Sequence, residues 1–281
     1  MYLLEIIKLR IIFGNIFCEV SSFFFSKNYN LYLNKLFFSS LGLSLIIASA
    51  CIFNNILDRK RDRLMLRTKN RVFAKNLLNI KFAIFFAFIL FFLGIFYLIF
   101  FVNLIVLFFS LLGFFIYVFL YTFLLKKRSI YSTLIGSISG ALPSVIGCFI
   151  VKPVNYLCAL ILFFMLICWQ QVHFYAISLF YFEDYKNSKM PIFTIIHPLK
   201  KTIKHMYFYT ICFIVFSSFL TFFKFIGLFY FYISLILGVF WLFLIYKLNE
   251  IKHLTQNSKY VFKFSLIYIF ILNLLMIFNH L

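Results

Sequence analysis

The chain has 281 residues, of which 65% are hydrophobic and only 12% charged, with 27 Lys and Arg against 7 Asp and Glu. Soluble domains carry roughly half apolar and about a quarter charged residues, so this composition excludes a water-soluble globule and calls for a bilayer as solvent. Backbone groups in lipid must pair internally, leaving helices or closed barrels; long apolar runs without period-two alternation select helices.

Apolar segments follow in chain order near 11–26, 36–57, 80–101, 103–125, 129–151, 155–182, 205–222, 226–247 and 261–280. The first is short and carries Glu19, and the third and fourth are divided only by Val102-Asn103. The expected fold is all-α: a single polytopic membrane domain over 1–281 with about nine transmembrane helices. Alternating the loops across the bilayer gathers every Lys and Arg on one side except Lys27, Lys35, Lys152 and Lys224. The positive-inside rule makes that side cytoplasmic, with the N-terminus in the cytoplasm and the C-terminus outside.

A net charge of +20 split among loops beside membrane spans is not a nucleic-acid surface. Anionic lipid headgroups account for much of it. The 59–81 loop, with Asp58 and Asp62 set into it, is denser than orientation requires and suggests a phosphorylated ligand. Cys18, Cys51, Cys148, Cys158, Cys168 and Cys212 lie within or beside apolar spans with no C-x-x-C pair, and read as small buried hydrophobes. No removable targeting peptide is expected, and a bacterial inner (plasma) membrane is the simplest location.

Two constellations carry chemistry. At the end of the second span Asn54, Asp58 and Asp62 are four apart, so on a helix one face carries an amide and two carboxylates. Oxygen ligands so spaced suit Mg²⁺ with a substrate diphosphate completing its octahedron; the bland alternative pairs the carboxylates with Arg59, Arg61 or Arg63 at a solvated helix end. In the sixth span His173 precedes Asp184 by three helical turns, with Asp184 near the surface and His173 deep. An intramembrane histidine is either a hydrogen-bonded interior residue or an iron ligand or proton acceptor. Asp58, Asp62, Glu183 and Asp184 gather on one membrane face.

Asn54-Asn55-Ile-Leu-Asp58-Arg59-Lys-Arg-Asp62-Arg63, followed by Arg67-Thr68-Lys69-Asn70-Arg71, resembles the N-x-x-x-D-x-x-x-D motif and R-T-K-N-R run of the protoheme IX farnesyltransferase (heme O synthase) family of UbiA-type intramembrane prenyltransferases. The resemblance extends to Lys8 through Asn15, Tyr121-Thr122 with Lys126-Lys127-Arg128-Ser129, Gly136 through Pro143 with Gly147, and Trp169-Gln170 with His173 and Asp184-Tyr185. It covers roughly 8–198. Leu9, Ser144 and Val172 stand where proline is expected, and Tyr181 where a basic residue is.

This resemblance implies transfer of a farnesyl group from farnesyl diphosphate to a vinyl group of heme b, with addition of water, giving heme O. It implies Mg²⁺ on Asn54, Asp58, Asp62 and Asp184, with the loops near 58–79 and 183–204 carrying the site. Arg59, Arg63, Lys69, Arg71 and Lys126 would compensate the diphosphate, Tyr121 and Phe180 would line the cavity, and His173, or more weakly His197, would contact heme. Heme b, farnesyl diphosphate and membrane lipid are the expected partners, with terminal-oxidase or heme-pathway proteins beyond them and no nucleic acid. Gly136, Gly140 and Gly147 read as close-packing positions. The rivals are prenylation of a hydroxybenzoate or quinone precursor, a multi-span transporter, and an oxidase-assembly scaffold.

Overall fold

A computed structural model describes residues 2–26 and 29–278; Lys27, placed above on the outer side, and the last two residues of the 261–280 span lie outside the described residues. The long helices are α3 (Leu33–Asp62), α4 (Ile80–Phe101), α5 (Leu104–Phe115, winding on to Leu125), α6 (Ser132–Ile150), α7 (Tyr156–Phe180), α10 (Leu199–Phe222), α11 (Leu228–Tyr246) and α12 (Leu254–Phe278). Short helices α8 (Phe182–Asn187) and α9 (Phe193–Ile196) join α7 to α10, and the chain opens with α1 (Tyr2–Ile7) and α2 (Leu9–Phe23). Among the described residues 8 helical stretches are long and apolar enough to cross a membrane, making this a multi-pass membrane protein.

The first expected span is the exception. Its helix α2 has 15 residues, about 22 Å at 1.5 Å per residue, against a hydrocarbon core of about 30 Å. It runs antiparallel to α3. Lys8 Nζ donates to Asn54 Oδ1 (2.6 Å) near one end, and Ser39 Oγ donates to Glu19 Oε1 (2.5 Å) near the other. Ser40 Oγ takes the second Glu19 oxygen at 3.1 Å, so the carboxyl that interrupts the apolar pattern is met by hydroxyls from the facing helix. The boundary at Val102-Asn103 holds: the Asn103 side chain accepts the Val106 N–H and starts α5. Helices α3, α10 and α12 extend beyond their apolar segments, and for α3 the extension carries Asp58 and Asp62 on regular helix.

Helix α7 is the centre, packed by α6, α10 and α12. Helix α4 lies at the rim, with Phe85, Phe92 and Phe100 each more than 60% exposed to lipid. Close approaches set the spacing nearer the middle. A Cβ on Gly147 would collide with the Glu19 carbonyl and the Ser22 hydroxyl, so α2 lies directly on α6; one on Gly94 would sit 2.8 Å from the Gly42 carbonyl at the α3–α4 crossing. Gly140 leaves room for the Gln170 side chain, and Gly136 for the Tyr121 ring at 3.0 Å, so the small residues of α6 are contact points as expected.

Because the obstacle at Gly147 is backbone, Gly147→Val is expected to destabilise the protein by about 3 kcal/mol or more. Gly14, whose Cβ would meet nothing within 4 Å, should accept alanine with a shift under about 0.5 kcal/mol. Thermal unfolding of the two variants in the same detergent checks the contrast.

Candidate active site

Asn54, Asp58 and Asp62 lie on one face of α3 and are all buried, 3–5% exposed. Carboxylates at that depth require counter-charge, and three separate segments supply it. Lys126 Nζ is 2.5 Å from Asp58 Oδ2, with Arg61 at 3.4 Å from the other oxygen. Arg71 Nη1 reaches Asp62 Oδ1 and Oδ2 at 3.0 and 3.2 Å. Asn54 joins the cluster, its amide donating to Asp58 at 3.0 Å and Thr122 at 3.1 Å while its oxygen takes Lys8. Burial works against the Lys126 ammonium, but the Asp58 carboxylate outweighs it and holds this lysine above its usual range. Lys8 gains less from its neighbours, and burial brings it down to about 8.

Lys126 reaches Asp58 because of an irregularity in the helix before it. Residues Ile116–Leu125 wind as a π-helix: Lys126 N–H bonds the Tyr121 carbonyl (2.8 Å), five residues back, and Thr122 Oγ bonds that of Tyr117 (2.7 Å). On an α-helix Tyr117 and Lys126 would point in opposite directions, nine steps of about 100°. At about 80° per step in a π-helix they return to one face. That face holds Tyr117, Tyr121, Thr122 and Lys126, with the two tyrosine rings stacked at 5.7 Å.

The cluster forms one end of a cavity of about 760 Å³. Lys8, Arg61, Arg67, Arg71 and Lys126 line its charged end, and Tyr117 and Tyr121 lie next to them; Trp169, Gln170 and His173 from α7 line it too, among apolar side chains such as Ile46, Phe114, Leu142 and Ile146. His173 Nδ1 lies 2.7 Å from Ser265 Oγ. The same hydroxyl lies 2.7 Å from the Phe262 carbonyl; when its proton goes there, the ring donates from Nδ1 and Nε2 carries a lone pair. Nε2 has no protein partner among the described residues. Trp169 stacks on the ring at 4.8 Å and anchors its indole N–H on the Ser265 carbonyl at 2.8 Å.

Only some of the site residues expected from the sequence line the cavity. Asp184 does not line the cavity; its two oxygens accept the backbone N–H groups of Leu66 (2.8 Å) and Arg67 (3.1 Å). It therefore fixes the loop that carries Arg67 and Arg71. Among the described residues no group of three or more His, Cys, Asp or Glu stands close enough to hold a metal, which leaves Asp58 and Asp62 as the carboxylates at the cavity. Arg59 is turned to the Ile56 carbonyl of its own helix and Arg63 to Ala74 and Asn76, while Lys69 is exposed; none lines the cavity. Of the five cations expected for a diphosphate, Arg71 and Lys126 line the cavity, as do Lys8, Arg10, Arg61 and Arg67. Phe180 lies under Lys259 and outside the cavity, as does His197 beside Lys201. Tyr181, standing where a basic residue was expected, takes the Arg67 guanidinium on its ring face at 4.5 Å.

Residues 15–267 match the UbiA prenyltransferase family. The chain belongs to the UbiA prenyltransferases. Curated relatives span it almost entirely. A protoheme IX farnesyltransferase of Buchnera aphidicola subsp. Baizongia pistaciae is 38% identical, covering 99% of this chain and 97% of that one. Another, of Blochmanniella floridana, is 36% identical over 98% and 96%. Among solved structures, a digeranylgeranylglyceryl phosphate synthase superimposes with a TM-score of 0.81 at 19% identity, covering 99% of this chain and 97% of that one. A UbiA homolog from Archaeoglobus fulgidus bound to GPP and Mg²⁺ gives 0.61 at 15% identity, over 96% and 87%. These likenesses at low identity establish the fold.

For this prenyltransferase, Arg71→Ala and Lys126→Ala are expected to lower turnover at least tenfold, since charge-assisted hydrogen bonds contribute about 1.5–3 kcal/mol. Arg59→Ala and Lys69→Ala should stay within about twofold. Asp184→Asn keeps one acceptor oxygen for two backbone donors and should raise KM for the prenyl diphosphate several-fold, with a smaller effect on kcat. Steady-state rates on the folded variants check all five.

Proposed function

We propose that this chain transfers the farnesyl group of farnesyl diphosphate to a vinyl group of heme b, giving heme O and inorganic diphosphate. The observation that carries this reading is the end-to-end likeness to protoheme IX farnesyltransferases. The cavity supports it chemically, by joining a cationic end to an apolar lining in which the His173 imidazole takes part. The clustering of basic loops at the charged end favours a cytoplasmic location for that end, in a bacterial inner membrane.

In this reading Lys8, Arg61, Arg67, Arg71 and Lys126 receive the diphosphate oxygens. Asp58 and Asp62, two hard oxygen donors one turn apart on a cavity wall, fit Mg²⁺ with Asn54 beside them. When bound there, the ion would add its positive charge to that of the lysines and arginines. As the allylic C1–O bond breaks, its electron pair leaves on the diphosphate, and the same lysines and arginines stabilise the growing negative charge. The stacked Tyr117 and Tyr121 rings border that end of the cavity and offer their π-faces to the positive charge developing on carbon.

The heme vinyl π-pair then forms the new C–C bond. The cation left on the former vinyl carbon takes the oxygen of one water, which releases a proton, so the sum is heme b, farnesyl diphosphate and water to heme O, diphosphate and one proton. His173, fixed as the Nδ1–H tautomer by Ser265, offers Nε2 to the heme iron, and Trp169 and Phe262 hold the ring flat against lateral movement.

The test is the purified protein in lipid with heme b, farnesyl diphosphate and Mg²⁺, with hydroxyethylfarnesyl heme read by mass spectrometry. The product is expected to require Mg²⁺ and to fall at least a hundredfold, about 2.7 kcal/mol of transition-state stabilisation, in Asp62→Asn. A folded preparation that prenylates an aromatic acid and leaves heme b untouched would sink the heme assignment and keep the family chemistry.

A further inference from the structure

Gln170 is a buried amide in the lining of the main cavity, 7% exposed, on α7. Its orientation is set by α6. Nε2 donates to the Ser137 carbonyl at 3.2 Å; a carbonyl can only accept, so the nitrogen takes this side and Oε1 the other. Oε1 receives no hydrogen bond from the described residues, yet it is not sealed within the protein as the partnerless Asn55 oxygen is. Gly140 makes room for it, since a Cβ there would collide with Oε1. The cavity therefore carries an acceptor held in place at its nitrogen and open at its oxygen.

Helix α6 also relates this acceptor to the charged end. Gly136 receives the Tyr121 ring at 3.0 Å, and Gly140, four residues on, receives Gln170; that step is about 6 Å along a helix. Lys126 Nζ lies 5.4 Å from the centre of the Tyr121 ring and is the lysine that holds Asp58. The open oxygen thus stands about one turn further from the charged cluster than the ring that borders it. His173, three residues on along α7, shares its face.

We propose that Gln170 is the positioning residue for the water that completes the reaction. The proposal rests on the reading of the acceptor as a heme vinyl group. Once the C–C bond has formed, the positive charge sits on the vinyl carbon attached to the porphyrin ring, two bonds from the farnesyl C1. Two fates then compete. A water gives an oxygen lone pair to that carbon, and the oxonium so formed loses its proton to the diphosphate released in the first step, leaving the alcohol. Alternatively the adjacent CH₂ loses a proton to a base, its C–H pair closes a C=C bond, and the product is an alkene lighter by one water. A water that donates one O–H to Gln170 Oε1 keeps its lone pairs for the carbon. The neutral amide oxygen is a weak base, so it orients capture without drawing off the CH₂ proton, as a carboxylate or a free imidazole would. Ser139 lines the same cavity, but its hydroxyl is turned to the Gly136 carbonyl of its own helix at 2.8 Å.

The ratio of the two products reads this role directly. The full-length protein in lipid nanodiscs is supplied with heme b, farnesyl diphosphate and Mg²⁺, and alkene and alcohol are quantified by mass spectrometry, with heme O taken through the same extraction as a control. Gln170→Met keeps the length of the side chain and removes both amide atoms. Gly140→Ala leaves the amide in the protein and pushes aside only the end of a flexible side chain. Each is expected to raise the alkene-to-alcohol ratio roughly tenfold, the scale of one lost hydrogen bond in the capture step. The ratio is taken among prenylated hemes, so a slower or less stable enzyme does not shift it. A ratio equal to wild type in both variants would overturn the proposal and leave the heme reading intact. A wild type that yields no prenylated heme would sink that reading, and the role of Gln170 with it.

Discussion

Two carboxylates on one buried face of a membrane helix impose an electrostatic debt that the helix itself cannot meet. Arg61 reaches Asp58 at 3.4 Å from within α3, but the shorter contacts come from elsewhere, Lys126 at 2.5 Å and Arg71 at 3.0 Å. Each of those cations arrives from a segment that would otherwise be free at the membrane surface. Lys8, bound to Asn54, fixes the elbow before α2; Arg71 fixes the loop after α3; Lys126 fixes the end of the π-helix. Asp184 then ties α8 to that loop through Leu66 and Arg67. The end of the bundle is thus ordered by charge while its middle is ordered by packing, and the cavity lies where the two regimes meet.

The same division explains how much could be read from the amino-acid sequence. Hydropathy located eight of the nine expected spans, because a helix in lipid has to be apolar over its length; the Asn103 N-cap fixes a boundary that Val102-Asn103 only marked roughly. The face formed by Asn54, Asp58 and Asp62 was legible because i, i+4 spacing has one meaning on a helix. The cations were not. Residues 63–79 have no periodicity from which to tell that Arg71 turns inward while Arg63 turns to Ala74 and Asn76. Lys126 could be proposed only through resemblance, because its placement depends on a π-helix that no local pattern announces. Asp184 is a related case: no local pattern tells that both its oxygens accept backbone N–H groups of the loop after α3.

Where sequence and structure differ in length, the cause is again polar satisfaction. Helix α2 has 15 residues, short for a bilayer, and its far end is sustained by polar contacts with its neighbours. Glu19 is held by Ser39 and Ser40, and Ser21 bonds Asn273 of α12. A carboxyl in an apolar span reads as an interruption along one strand of sequence; in three dimensions it is the contact that joins α2 to α3. Gly147 completes that arrangement by letting α6 lie against the same turn of backbone.

The proposed chemistry sets conflicting demands on water, and the cavity lining holds residues suited to each. An allylic cation at the charged end would be lost to water as a free alcohol, and the cavity near Tyr117 and Tyr121 presents aromatic rings there. The later cation, on the heme side chain, must meet one water to become the hydroxyethyl product. Polar groups able to carry a water line the same cavity: Ser132, Thr133 and Ser139 of α6, and Gln170, which is itself tied to the Ser137 carbonyl at 3.2 Å. Gly140 matters to that arrangement, because any side chain there would displace the Gln170 amide.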